Sequence, residues 1–190
     1  MPLQIIEGTS IGVYEKFLSK EECQYLVRMA EVKANEDISF YNELDPQYIF
    51  WDKKNIEFSS IPHFDLDMVR LIQDRVKLVF TQEYLKDPTA TNGYVQMNNI
   101  HRFMPGDAMM EHSDRGPKEH GNSDISHGFV LYLNDDYEGG EIHYPQLGVE
   151  LKLSAGSLVV HPSDVAHTHG VNSVLSGKRY TLTMFAKDPS

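Results

Sequence analysis

Cysteine is nearly missing from this chain. Cys23 stands alone among 190 residues, so no disulfide can form within the chain and no cysteine-built zinc site is available. Long apolar runs are missing too. No stretch of about 18 apolar residues occurs, which excludes a membrane-spanning helix. The opening Met1-Pro2-Leu3-Gln4 has no basic cluster leading into an apolar run. No secretory signal is therefore expected, and a cytoplasmic protein is. Positive charge is scarce: 17 Lys and Arg stand against 28 Asp and Glu, a formal net charge of -11. Nucleic-acid binders neutralise phosphates with cations, and this field repels a polyanion. A small molecule, a neutral peptide or a basic protein segment fits better as a partner. Internal repeats, low-complexity tracts and long Pro/Gly/Ser linkers are also lacking. One domain over residues 1–190 is the expectation, and the 41% hydrophobic fraction is enough for one core.

The first part of the chain, to about residue 90, reads as helical. Leu3–Ile6 could form a short strand. Ser19 followed by Glu22 has the spacing of a capping box, and Cys23, Leu26, Val27 and Ala30 recur at helical spacing, predicting a helix over 20–33. Residues 34–62 read as irregular, with a short strand at Ile49-Phe50-Trp51. A second helix is expected from about Asp65 to Tyr84, with Met68, Leu71, Ile72, Val76 and Val79 on one face. From about residue 91 to 187 the texture changes. Tyr94–Phe103, His127–Leu133, Glu141–Tyr144, Val149–Leu153, Ser157–Val160, Thr168–Val174 and Arg179–Phe185 read as short strands. Turn residues such as Pro105-Gly106, Gly139-Gly140 and Ser176-Gly177 separate them. The expected class is α+β, with N-terminal helices packed on one sheet of a jelly-roll core.

Chemistry concentrates in His112-Ser113-Asp114. Strand residues two apart point to one face, so His112 and Asp114 can share a target. His161, His167 and His169 offer a third donor. Two imidazoles and one carboxylate on one side of an iron(II) ion leave its other positions open. His-x-Asp alone is a short pattern that arises often by chance, so its surroundings carry the weight.

Those surroundings are informative. His169-Gly-Val171-Asn-Ser-Val174-Leu-Ser-Gly177-Lys-Arg179 resembles the His-x-Val-x-x-Val-x-x-Gly-x-Arg run of prolyl 4-hydroxylase-like, iron(II)- and 2-oxoglutarate-dependent dioxygenases. The segment from Leu131-Tyr132-Leu133-Asn134 to Gly139-Gly140-Glu141 is similar to that family's Tyr-Leu-Asn…Gly-Gly-Glu stretch, and Tyr144-Pro145 to its aromatic-Pro end. Val159-Val160-His161-Pro162-Ser163 is similar to the strand before the distal histidine, with His161 where the family usually has an aromatic. Phe17–Cys23 resembles the family's entry into its first helix. The similarity is clearest from residue 94 to 186.

The resemblance implies a double-stranded β-helix core and these roles. His112 and Asp114 match the paired metal ligands. His169 matches the distal ligand, because it alone sets Val171, Val174, Gly177 and Arg179 in register. His167 is its competitor when residues are counted from the preceding strand, and it can support the ligand if it is not one. Arg179 matches the cation that holds the far carboxylate of 2-oxoglutarate, a role suited to a planar, permanently charged guanidinium. Tyr132 matches a tyrosine that in some members bonds the same carboxylate. Ile142 falls at an apolar wall position, and Phe185 at a usually aromatic position lining the pocket. Phe103 stands where the family usually has Tyr, which shifts weight onto Tyr132 and Arg179. His101 and Asn99 share strand parity with Phe103 and could face the pocket. His63, His120, His127, His143 and His161 read as surface or packing residues. The polar stretch Arg115–Ser126 could cover the substrate.

The implied cofactors are iron(II), 2-oxoglutarate and dioxygen, with ascorbate in support. The implied reaction hydroxylates a C–H bond, on a prolyl residue of a peptide or protein, with release of succinate and carbon dioxide. A free amino acid or other small metabolite is the alternative substrate. Asp114 argues against halogenation, since related halogenases replace that carboxylate with a small residue. Phe185 argues against nucleic-acid demethylation, because those members carry a second arginine there. Two readings compete from other classes: a cupin-like metal-binding module without catalysis, and a zinc hydrolase on the same three ligands, which lacks an evident general base.

Overall fold

The computed structural model describes residues 2–36, 55–57, 66–87, 95–116 and 124–187. The expected strand at Ile49–Trp51, most of the loop 115–127, and His63 and His120 lie outside the described residues.

Thirteen strands and two α-helices are found among the described residues. Two short strands, β1 (Gln4–Ile5) and β2 (Gly12–Tyr14), precede helix α1 (Lys20–Glu36). The capping box forms as expected: the Ser19 amide donates to Glu22, and the Glu22 amide donates to the Ser19 hydroxyl. Strand β3 (Asn55–Glu57) follows, then α2 (Leu66–Val79), which ends in a π-helical turn at Phe80–Tyr84. The remaining strands are β4 (Val95–Phe103), β5 (Met109–His112), β6 (Ile125–Tyr132), β7 (Glu138–Gly139), β8 (Ile142–Tyr144), β9 (Val149–Leu151), β10 (Leu158–Pro162), β11 (His169–Val171), β12 (Val174–Ser176) and β13 (Arg179–Lys187).

A seven-stranded antiparallel sheet has the order β1-β2-β10-β6-β13-β4-β3, and a four-stranded sheet the order β5-β11-β8-β9. Strands β12 and β7 form a separate ribbon. The sheets face each other. Val130, Tyr132 and Val159 of the large sheet pack with Ile142 and Tyr144 of the small one. The helices cover the other face of the large sheet. Leu26 and Ala30 of α1 and Ile72 and Val76 of α2 pack on Phe129, Leu131, Leu158, Val160, Leu182 and Met184. This is the expected α+β arrangement, a double-stranded β-helix with helices on one sheet. No helix among the described residues is long and apolar enough to cross a membrane.

Several boundaries differ from expectation. Helix α1 extends to Glu36, and Asn55–Glu57 pairs with β4, so 34–62 is not wholly irregular. The stretch Thr168–Val174 is two strands in two different sheets. Leu71 is 55% exposed, because it lies one position off the Met68–Ile72–Val76 line and falls at the rim of the buried face. Strand alternation was expected to carry both His112 and Asp114, but β5 ends at His112. Its Met109-Met110-Glu111-His112 has none of the β-branched residues that signal a strand.

Candidate metal and cosubstrate site

His112 ends β5 and His169 begins β11. The two strands are antiparallel neighbours, and His112 pairs directly with His169. Asp114 lies in the bend just after β5, not on the strand. The bend, rather than strand alternation, carries its carboxylate to the same point as the imidazoles. Asp114 Oδ1 stands 3.7 Å from His112 Nε2 and 3.8 Å from His169 Nε2. One donor atom from each of the three lies within 4.8 Å of the others.

Backbone carbonyls orient both rings. His112 Nδ1 donates to the Met110 carbonyl at 2.9 Å, and His169 Nδ1 donates to the His167 carbonyl at 3.1 Å. A carbonyl only accepts, so Nδ1 carries the proton and Nε2 presents its lone pair to the shared centre. The electrostatics match. Burial pushes the Asp114 carboxyl up to about 6, with His112 pulling the other way. Burial, followed by the neighbouring His112, holds His169 down to about 4. A desolvated carboxylate beside two convergent imidazole nitrogens is a site that a cation would relieve.

The cavity beside these residues has a volume of about 310 Å³ and reaches Arg179. Arg179 opens β13, faces Phe103 across the β4 pairing, and is 1% exposed. Its guanidinium carbon lies 5.1 Å from the Phe103 ring centre and 5.2 Å from that of Tyr132. Its Nη1 donates to Thr181 Oγ1 at 3.3 Å. Among the described residues no carboxylate forms an ion pair with it. A buried guanidinium without an anion is costly, so the geometry calls for an anionic ligand. Gly140 makes room for it. With φ at +69°, a Cβ there would come within 2.9 Å of Arg179 Cδ.

Arg179 Nε and the hydroxyls of Tyr132, Tyr137 and Tyr144 are buried without a hydrogen-bond partner among the described residues. Burial raises the Tyr132 hydroxyl and pushes that of Tyr137 up to about 12. In both, Arg179 pulls back, which places the guanidinium close to each hydroxyl although no bond of good geometry joins them. Iron(II) and 2-oxoglutarate fit what is present: three convergent donors for the one, and an unpaired guanidinium with idle hydroxyls for a carboxylate of the other.

The structure brings His112, Asp114, His169, Arg179, Ile142 and Phe185 to one cavity wall, and Phe103 and His101 join them. Tyr132 lies between the sheets with its ring against Arg179. The side chain of Asn99 is outside the described residues. His167 is not among the three converging donors. It ends a turn of 3-10 helix capped by Asp164, its Nδ1 lies 2.7 Å from Asp164 Oδ1, and its carbonyl orients His169. His127 packs on Phe80 and Tyr84, and His143 lies 3.6 Å from Glu111, as packing residues should. His161 packs against the rings of Tyr144 and His169 as expected, but its place at the cavity was missed. It is 1% exposed, borders the cavity, and lies 3.9 Å from Asp114 Oδ2. Tyr137 was likewise missed, because Asn134–Gly140 reads as a turn.

The sequence model of the 2OG-Fe(II) oxygenase superfamily matches residues 96–187, the stretch that builds this site. A PKHD-type hydroxylase of Synechococcus sp. (strain CC9902) is 38% identical over 84 residues, 42% of this chain and 36% of that protein. The matched stretch thus spans about a third of that relative. A PKHD-type hydroxylase of Prochlorococcus marinus (strain NATL1A) is 29% identical over 163 residues, 78% of this chain and 72% of the relative. Among solved structures, a prolyl-4-hydroxylase of Pseudomonas putida aligns with a TM-score of 0.69 at 19% identity, covering 96% of this chain and 95% of that one. The viral collagen prolyl hydroxylase of Paramecium Bursaria Chlorella virus-1 aligns at 0.66 and 17%, covering 98% and 100%. At such identities the structures speak for the fold. Residues 96–187 therefore belong to the 2OG-Fe(II) oxygenase superfamily. The superfamily's cofactors are iron(II), 2-oxoglutarate and dioxygen.

Proposed function

We propose that this protein hydroxylates a C–H bond of a prolyl residue in a peptide or protein, using iron(II) held by His112, Asp114 and His169. The observation that carries the reading is the buried, unpaired guanidinium of Arg179 in the same cavity as three convergent metal donors. Arg179 binds the far carboxylate of 2-oxoglutarate, with Tyr132 and Tyr137 placing hydroxyls beside it. Phe103, lacking a hydroxyl, stacks on the guanidinium and keeps water from it. Ile142 and Phe185 line the cavity. His112 and His169 are oriented through their Nδ1 bonds, so that each turns Nε2 toward the metal, and Asp114 supplies the one negative charge. With 2-oxoglutarate and dioxygen, bound iron supplies an oxidant able to break a C–H bond, yielding succinate and carbon dioxide.

The prolyl substrate is supported by the names of the relatives in fold, which are prolyl hydroxylases. The whole chain acts as one domain in this proposal, with α1 and α2 bracing the large sheet. A cytoplasmic location belongs to the same proposal.

The test is the visible spectrum of anaerobic protein with iron(II) and 2-oxoglutarate. A weak metal-to-ligand band is expected, lost in Asp114→Ala. In Arg179→Ala it should require about 10–100-fold more 2-oxoglutarate, the worth of a charge-assisted pair. No band at saturating iron and cosubstrate would leave a non-catalytic metal-binding module as the better reading. Peptides containing proline, set against free proline, then decide the substrate class by succinate release.

A further inference from the structure

The two oxygens of Asp114 have different neighbours. Oδ1 faces the Nε2 atoms of His112 and His169. Oδ2 faces His161 Nε2 at 3.9 Å. His161 sits on β10, directly opposite Gly128 of β6, and its ring centre lies 4.5 Å from that of His169. Its Nδ1 is 3.1 Å from the Pro162 carbonyl oxygen. That carbonyl accepts, so Nδ1 bears the proton and Nε2 turns a lone pair toward Asp114.

Gly128 keeps the space between them clear. A Cβ at that position would lie 2.5 Å from Asp114 Oδ2 and 2.7–2.8 Å from the His161 ring. A carboxylate oxygen and an imidazole lone pair are both acceptors and cannot bond each other directly. At 3.9 Å they are spaced for one water that donates a proton to each.

We propose that His161 is a positioning residue for Asp114, anchoring Oδ2 through one bridging water so that Oδ1 alone turns toward the metal. The inference rests on the ligand set proposed above. Its effect is to hold the carboxylate to a single coordinating oxygen, which leaves room at the metal for cosubstrate and dioxygen. Groups that orient a ligand in this way typically contribute about 10–100-fold to metal affinity.

The experiment titrates Co(II) into the metal-free 190-residue chain and reads its d–d absorption, for wild type, Asp114→Ala, His161→Phe and His161→Gln. Wild type should bind and Asp114→Ala should not. His161→Phe keeps an aromatic of similar size without the lone pair, and should bind about tenfold more weakly with unchanged band positions. His161→Gln, which returns an acceptor at similar reach, should recover most of the loss. Thermal melts establish that each variant folds, and His161→Met replaces His161→Phe if the latter does not. Wild-type affinity in His161→Phe overturns the inference. So does a loss that His161→Gln fails to recover, which would make His161 a packing residue. Shifted bands in His161→Phe also overturn it, in favour of direct ligation. If wild type binds no Co(II), or Asp114→Ala binds as well, the ligand set itself fails and the inference falls with it. Loss in Asp114→Ala with none in His161→Phe sinks the inference alone.

Discussion

Along β13, Tyr180, Leu182, Met184 and Ala186 point to the helices, while Arg179, Thr181, Thr183 and Phe185 point into the cavity between the sheets. The neighbouring strands alternate the same way. Phe129 and Leu131 of β6 face the helices, and Gly128 and Val130 the cavity. On the helix side nearly every group is apolar and in contact with another. On the cavity side lie a guanidinium, a carboxylate and imidazoles, with a shell of idle hydroxyls beyond them. Since strand residues alternate, each strand serves both faces at once. The helix face supplies the stability that lets the cavity face hold groups whose burial is unfavourable by itself.

That contrast can be broken from either side. The largest effect is expected from Asp114→Ala. Metal binding should fall more than about 100-fold, beyond the loss of any merely supporting group. The melting temperature of metal-free protein should stay level or rise, since a carboxylate disfavoured by burial has been removed. Calorimetry with and without metal checks both. Leu182→Ala should do the reverse, costing about 2–5 kcal/mol of stability while the folded fraction binds metal as before. Denaturant titration beside metal titration checks this, and a changed metal affinity would mean that the two faces are coupled.

A smaller effect belongs to Glu31, where α1 meets β13. It accepts hydrogen bonds from Tyr180 and from Lys178. Burial raises its pKa, but the bonds from Tyr180 and Lys178 outweigh this and hold it below the ordinary 4.5. A depressed carboxylate stabilises the fold above its unfolded pKa and loses that contribution as pH falls through the folded one. Glu31→Gln should therefore cost about 1–2 kcal/mol at neutral pH. Variant and wild type should converge only as pH falls below the ordinary carboxylate value and through the lowered one, as read from unfolding midpoints across pH. Ser19→Ala, which removes half the capping box, should cost about 0.5–1 kcal/mol and leave the cavity unaffected.

Much of the cavity face was legible because its chemistry is ordered along the chain. His112, Asp114, His169 and Arg179 stand in a spacing that a known family shares, and the structure brings them together. The helix face was legible from period. Cys23, Leu26 and Ala30 are buried where the helical spacing puts them. What escaped has physical reasons. His161 is a lone histidine in an apolar strand, and its neighbour Asp114 is remote in sequence, so nothing local distinguishes it from packing. Tyr137 sits among turn-forming residues, and only the fold aims its hydroxyl at Arg179. Asp114 was placed at the site for an incomplete reason, since a bend rather than a strand delivers it. Strand β5 carries a proposed ligand and yet lacks strand-forming residues. Pairing with β11 forms it, not propensity.

The direct pairing of His112 with His169 makes the proposed metal site a clasp between segments far apart in the chain. A slip of β5 by one residue would send His112 to the opposite side of the small sheet. The ion and the strand register therefore report on each other. A cation that binds only the paired form, at a hundredfold excess over its dissociation constant, adds about 2.7 kcal/mol to folding. For a chain of this size that is about 5–10 °C in melting temperature. The supply of metal would then govern how long the small sheet stays closed as well as whether the site can react.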